Sequence, residues 1–387
     1  MGAVQYGARS SDYARITYFV IDLSDPAVAQ RVRMLQLGGA DLRLLGFRRS
    51  ATPIHSVEGV PAVDLGRTFP RRMWHRTIKV LLRSMGSMRW RDMMRGTDVV
   101  LARNLEMWTI ARAACAWAGL RAPIVYECLD IHRLLSGRGW PSRLLRGWER
   151  HVLHSSSALM VSSPGFVRNH FELIGARLPP LIVTENKRVL LDDHPDRSQA
   201  MNLSVGPPWR IGWFGNLRCA QSFHILHTVA SRHPTLVDVE LRGRPTDEIQ
   251  TLIGRSLPLP NMRFGGPYQQ KDLAASYRAC HLTWAIDYYE QGTNSDWLLP
   301  NRLYEGGYFN CPAIALVGTE TAYWLAARGA GVLLNDATVD LDAFISNLTT
   351  AHYRDLQQTM AAIPTSDLVH SMEDCRRLVA KLAGTTN

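Results

Sequence analysis

Short apolar runs recur along the chain without the polar alternation of a half-exposed sheet. They are RITYFVI (15–21), LRLLGF (42–47), DVVLA (98–102), PIVYECLD (123–130), ALMVSS (158–163) and LIVTEN (181–186). A second series follows: WRIGWFG (209–215), VDVELRG (237–243), LTWAID (282–287), AIALV (313–317) and GVLL (331–334). Unalternated runs suit strands buried on both faces. Helix-length segments between them predict βα repeats and parallel sheets. The polar stretch LDDHPDRSQAMNLSVGPP (191–208) separates the two series and reads as a linker. The expected fold is α/β, with two Rossmann-like domains facing a cleft. Residues 1–190 form the first domain and 209–362 the second. Residues 363–387 form a C-terminal helix that could cross back to the first domain. The segment 351–384 reads as helical throughout, with a break near Pro364.

Two such domains place ligands at the carboxyl ends of the strands. That suits a reaction between two substrates, one held by each half. The chain has 387 residues, 46% of them hydrophobic and 20% charged, an ordinary globular composition. Its net charge of +10 favours an anionic partner: nucleic acid, a membrane surface or a phosphorylated substrate. The six cysteines include no CxxC pair and sit mostly among apolar residues, so neither zinc nor any other metal is expected. A reducing compartment fits them, and no apolar run approaches the roughly 20 residues of a membrane span. The expected location is the cytoplasm.

Three stretches carry candidate chemistry. GWFGNLR (212–218) ends a strand and starts a helix. Gly215 allows close backbone approach, and Asn216 and Arg218 follow at a turn that could face an anion. An ordinary Gly-containing turn reads the same way. MRFGGPYQQKDLAASYRACHL (262–282) reads as strand, Gly-rich turn and helix. The Gly265–Gly266 turn, with Tyr268 beside it, could border a nucleotide base or be an ordinary connection, and Asp272 would cap or begin the helix. Arg242, near the end of VDVELRG, completes a basic set on the same strand ends. LLPNRLYEGGYFNCPAIAL (298–316) predicts a helix beginning at Asn301 and Arg302. Glu305 would lie on its first turns, where a carboxylate can accept hydrogen bonds from vicinal ribose hydroxyls. Arg302 and the helix start would offset diphosphate charge. A structural Arg–Glu pair is the plainer alternative.

WRIGWFGNLR, RFGGPY…DL…Y and PNRLYEGGYFNCPAIAL, in that order and spacing, resemble the nucleotide-sugar half of GT-B glycosyltransferases. The resemblance is closest to the bacterial exopolysaccharide and capsule group, succinoglycan-type transferases included, and covers about residues 14–335. It implies a nucleotide-sugar substrate, UDP-linked as the expectation, bound by the second domain, with the acceptor on the first and no cofactor. Glu305 matches the family's ribose-binding glutamate. Retaining members carry another Glu eight residues earlier, where this chain has Trp297. Glu290, in DYYEQGTNSDW (287–297), is the nearest earlier Glu, so the stereochemical outcome stays open.

On the acceptor side, PIVYECLDIHR gathers Glu127, Asp130 and His132 at a strand end. An inverting transfer needs a base for the acceptor hydroxyl. Asp130 is the first choice and Glu127 the second, with helix capping the plainer reading of Asp130. Arg103 and Asn104 (LARNLEM) and Asp25 (IDLSDPAVAQ) also end strands toward the cleft and, with His132, are candidates for acceptor contact. Asp25 could equally be only a helix start. Finally, 71–95 holds eight Arg or Lys with Trp74 and Trp90, and Arg138, Arg143, Arg146 and Arg150 flank Trp140 and Trp148. Basic amphipathic helices bearing Trp suit an anionic membrane surface, and a lipid-linked saccharide acceptor would explain them. Packed surface helices are the alternative. No helix-turn-helix, RNP or zinc-finger pattern supports nucleic-acid binding. Another GT-B sugar-nucleotide enzyme, such as an epimerase, would need no acceptor surface.

Overall fold

The computed structural model describes residues 14–68, 89–131, 135, 137, 139–175, 177–190, 196–197, 203–256 and 259–384. Its first sheet contains β1 (Arg15–Val20), β2 (Asp41–Arg48), β3 (Ser56–Val57), β4 (Val60–Arg67), β5 (Val99–Arg103), β6 (Ile124–Cys128), β7 (Ala158–Val161) and β8 (Leu181–Val183). Their spatial order is β3-β4-β2-β1-β5-β6-β7-β8, parallel except for the β3–β4 hairpin. β1, β5, β6 and β7 are buried almost end to end, as their unbroken apolar runs require. After β9 (Arg188–Val189) the second sheet follows: β10 (Trp209–Leu217), β11 (Val237–Pro245), β12 (Met262–Phe264), β13 (Leu282–Trp284), β14 (Ala313–Leu316) and β15 (Val332–Leu334). Its order, β12-β11-β10-β13-β14-β15, is wholly parallel.

Both sheets reverse strand order in the doubly wound manner, between β1 and β5 in one and between β10 and β13 in the other. Crevices open at the strand ends on either side of such a reversal. Helices cover both faces of each sheet, giving two apolar layers per half. All six cysteines lie in these interiors as free thiols.

The C-terminal segment departs from a continuous helix with one break. Thr350–Ala362 and Met372–Ala383 are helical, but β16 (Val369–His370) lies between them and pairs in parallel with β9. Pro364 opens the interruption as the cap of a short 3-10 turn. The last helix then packs on Pro26–Leu37 of the first half. Cys375, Leu378, Val379 and Leu382 join Val28, Val32 and Leu35 in one core. Gly38 makes the approach possible, because a Cβ there would collide with the Cys375 carbonyl.

Candidate active site

The strand ends of the two sheets meet along one polar seam. On the first sheet, β1 runs into Asp25, which caps the helix Pro26–Leu37 by accepting the Ala27 N–H at 2.9 Å. Its other oxygen lies 3.8 Å from Arg103, so the helix-start reading accounts for much of this side chain. β5 ends in Arg103, followed by Asn104 at φ 80°, ψ 165°. Asparagine is among the few residues that tolerate positive φ, and backbone held this way clusters at functional sites. The Asn104 side chain makes no cap hydrogen bond to the helix it opens.

Glu127, at the end of β6, is fully buried. It accepts hydrogen bonds from Arg31 at 2.9 Å, Arg103 at 2.8 Å and the Tyr18 hydroxyl at 2.5 Å. Burial works to raise its pKa, but Arg103 and then Arg31 outweigh that and hold the carboxyl at about 2. A carboxylate so paired and so acidic has little tendency to take a proton. Glu127 is therefore an anchor for two buried arginines, not a base, and Arg103 is drawn into the protein by it, not toward an acceptor.

Asp130, three residues on, is different. Its side chain is open to solvent along the seam, yet protein surrounds it closely enough for burial to push its pKa up to about 6. Arg218 opposes the rise, Glu290 and Asp25 add to it, and Arg103 opposes it more weakly. A carboxyl poised there can accept a proton near neutral pH, as a general base must. His132 lies outside the described residues.

On the second sheet, β10 and β11 are held together by backbone that only glycine allows. Gly215 and Gly243 are partners in register with φ of 103° and 139°, and a Cβ on Gly243 would collide with the Gly215 carbonyl. The Gly243 N–H donates to the Gly266 carbonyl, tying in the next turn. Asn216 is exposed at the rim. Arg218 donates to Asp287 through Nε (3.1 Å) and Nη2 (2.8 Å) and lies over the Tyr289 ring at 4.9 Å.

Asn301 begins the helix Asn301–Tyr308, with Pro300 as its cap. Glycine at 306 lets this helix settle on β13, since a Cβ there would lie 2.8 Å from the Thr283 hydroxyl. Arg302 and Glu305 do not pair. Arg302 donates to the carbonyls of Ala285 and Ile286, and burial lowers its pKa. Glu305 is 6% exposed and accepts from Arg188 at 2.7 Å and from the Tyr277 hydroxyl at 2.9 Å. Tyr268 completes the group: burial raises its pKa, followed by the nearby Glu305 charge, with Arg188, Arg302 and Arg242 around it. Arg242 itself donates to Ser276 Oγ at 2.8 Å and lies over the Tyr268 ring. Three arginines thus converge around two tyrosines and one carboxylate, a setting suited to a diphosphate.

The loop after β13 joins the halves. Glu290 receives the Asn294 amide at 3.0 Å, and Asn294 also accepts the Ile131 N–H of the first half at 2.9 Å. Trp297, eight residues before Glu305, packs with Leu298 against the first core. Its carbonyl accepts from Ser163, and Arg168 pairs with Glu320 across the same boundary. Sequence reasoning gave no role to Arg188, Tyr277, Asp287 or Asn294. Tyr277 lay inside a recognised motif, whereas Arg188 lies between the LIVTEN run and the linker, in neither. Asp287 and Asn294 lay in the Glu290 loop with nothing to distinguish them from solvated polar residues. Among the described residues, no three His, Cys, Asp or Glu side chains gather to hold a metal ion, and no helix is long and apolar enough to cross a membrane.

Two Rossmann-ordered sheets meeting at their strand ends define the GT-B architecture. Solved structures agree on the fold. Sucrose-phosphate synthase from Thermosynechococcus elongatus aligns with a TM-score of 0.69 at 12% identity, over 95% of this chain and 98% of that one. HepE of Anabaena, solved in complex with UDP and glucose, aligns at 0.67 and 14%, over 97% and 100%. No family model matches the chain. It belongs to the family of the succinoglycan biosynthesis protein ExoL: it is 40% identical over 379 residues to that protein of Rhizobium meliloti (strain 1021), spanning 96% of this chain and 94% of the relative.

Proposed function

We propose that this chain is a glycosyltransferase of exopolysaccharide assembly, moving a sugar from a nucleotide-sugar, UDP-linked, to a saccharide acceptor. The observation that carries the reading is the seam itself. Asp130 of the first sheet faces Arg218 and Glu290 of the second, beside the cluster of Arg188, Arg242, Arg302, Tyr268 and Glu305. The name of the ExoL relative and the UDP complex of HepE support it.

In this reading the second sheet holds the nucleotide, with Glu305 at the ribose and the arginines at the diphosphate. Asp130 takes the acceptor hydroxyl proton as that oxygen attacks the anomeric carbon. The new glycosidic bond forms while the bond to the diphosphate breaks, and the diphosphate leaves with its electron pair against the arginines. Purified protein with a UDP-sugar panel and a lipid extract tests this. Acceptor-dependent release of UDP is expected. Absence of nucleotide binding by calorimetry would overturn the reading, as would conversion of the sugar nucleotide without an acceptor.

The acceptor in this proposal is lipid-linked and met at an anionic membrane. Residues 71–88 of the basic stretch lie outside the described residues. The helix Trp140–Ser155 carries the support instead, with Trp140 73% and Leu144 66% exposed and Arg143 and Arg150 open to solvent beside them. Exposed apolar side chains on a helix that also turns arginines to solvent suit an anionic headgroup layer.

A further inference from the structure

Asn294 opens the short helix Asn294–Trp297 in the loop after β13, and its side chain is 5% exposed. One amide meets three groups there. The Ile131 N–H requires an acceptor, which fixes Oδ1 toward it at 2.9 Å. The NH2 then faces two carboxylates, Glu290 Oε2 at 3.0 Å and Asp130 Oδ1 at a longer 3.5 Å. Asn and Gln alone offer this combination of one acceptor and two donors in a neutral group. The helix is wedged in place. Ser163 Oγ donates to the Trp297 carbonyl, and Gly165 sits so close that a Cβ would lie 2.5 Å from the same oxygen.

We propose that Asn294 is a positioning residue: it fixes the chain beside Asp130 and bridges Asp130 to Glu290 across the two halves. The proposal rests on the glycosyltransferase reading for its kinetic meaning but not for its geometry. The charged groups facing Asp130 are Arg218, Glu290, Asp25 and Arg103. Two of them are carboxylates that discourage its ionisation. The Asn294 amide is a neutral N–H donor to the ionised form, so its loss should make Asp130 harder to ionise.

The test uses Asn294→Asp, nearly isosteric, and Asn294→Ala. Both should move the low-pH limb of kcat/KM upward by about 0.5–1 pH unit, more for Asp than for Ala, because Asp adds a third carboxylate. A merely structural role would lower the rate without moving the limb, and that result would overturn the proposal. A second readout needs no transfer activity. The Tm difference between wild type and Asp130→Asn, followed against pH, reports the Asp130 titration. The same difference on the Asn294→Ala background should titrate at higher pH, and coincident curves would also overturn the proposal. If wild type transfers no sugar, the functional reading fails, while the Tm curves still decide the role of Asn294.

Discussion

Arg188 Nε donates to Glu305 Oε1 across 2.7 Å, joining β9 to the helix Asn301–Tyr308 over a separation of 117 residues. The Tyr277 hydroxyl holds the other oxygen. Each carboxylate oxygen can accept a second bond, so a ribose can be received by a group already fixed in direction. Glu305→Ala removes the acceptor and should weaken UDP binding by about 2–3 kcal/mol. Calorimetry measures it, and unchanged affinity would rule out Glu305 as the ribose ligand.

Asp130→Asn should lower turnover by about 10²–10⁴ with UDP affinity nearly intact. With the pKa at about 6, wild-type activity should fall as pH drops through that value, because the protonated carboxyl no longer accepts a proton. In the variant that limb should vanish from whatever rate remains. Wild-type turnover in Asp130→Asn would end the assignment.

Glu127→Gln should act on stability. It leaves Arg31 and Arg103 buried without their counter-charge, a loss of about 3–5 kcal/mol for a buried pair broken on one side. Denaturant unfolding measures it. A catalytic loss as deep as that of Asp130→Asn, with an unchanged unfolding midpoint, would return Glu127 to the list of bases.

His370, on β16, has its pKa pushed down to about 4 by burial, against a bond to the Glu185 carbonyl that favours the charged form. The unfolded chain takes up that proton near pH 6.5. Stability from this group is therefore full above about pH 6.5 and lost as pH falls toward 4, by about 1–2 kcal/mol given its partial exposure. Tm against pH should be flatter across this window in His370→Gln. Parallel curves would contradict the assignment.

For the membrane surface, Trp140→Ser with Leu144→Ser should weaken flotation on anionic vesicles, and Arg143→Gln with Arg150→Gln should weaken its salt dependence. Each basic residue near such a surface contributes up to about 1 kcal/mol. Wild-type protein that stays unbound at low salt would make the acceptor a soluble one.

The central strands were legible because doubly buried strands need no polar alternation, and RITYFVI or WRIGWFG can hardly be read otherwise. The hairpin of β3 and β4 was not, because its half-exposed residues around Pro61 resemble a loop. β9 and β16 escaped because two residues each carry no period to detect. Within the site, Glu305 stood out by motif, but its partner did not, since only the folded chain brings residue 188 to residue 305. Glu127 and Asp130, both in PIVYECLD, were both candidates for the base, ranked second and first. Three positions apart, one points into two arginines and the other toward open seam, a distinction made by side-chain direction and not by composition.

The helix Met372–Ala383 supplies Cys375, Leu378, Val379 and Leu382 to the core of the first half. The ribosome must therefore add roughly 200 residues after β8 before that face can close, which at about 5–20 residues per second takes on the order of 10–40 s. For that interval the part of this core that the last helix completes stays open, a natural target for chaperones. A truncation that spares the whole second sheet would still leave the opposite half unfinished.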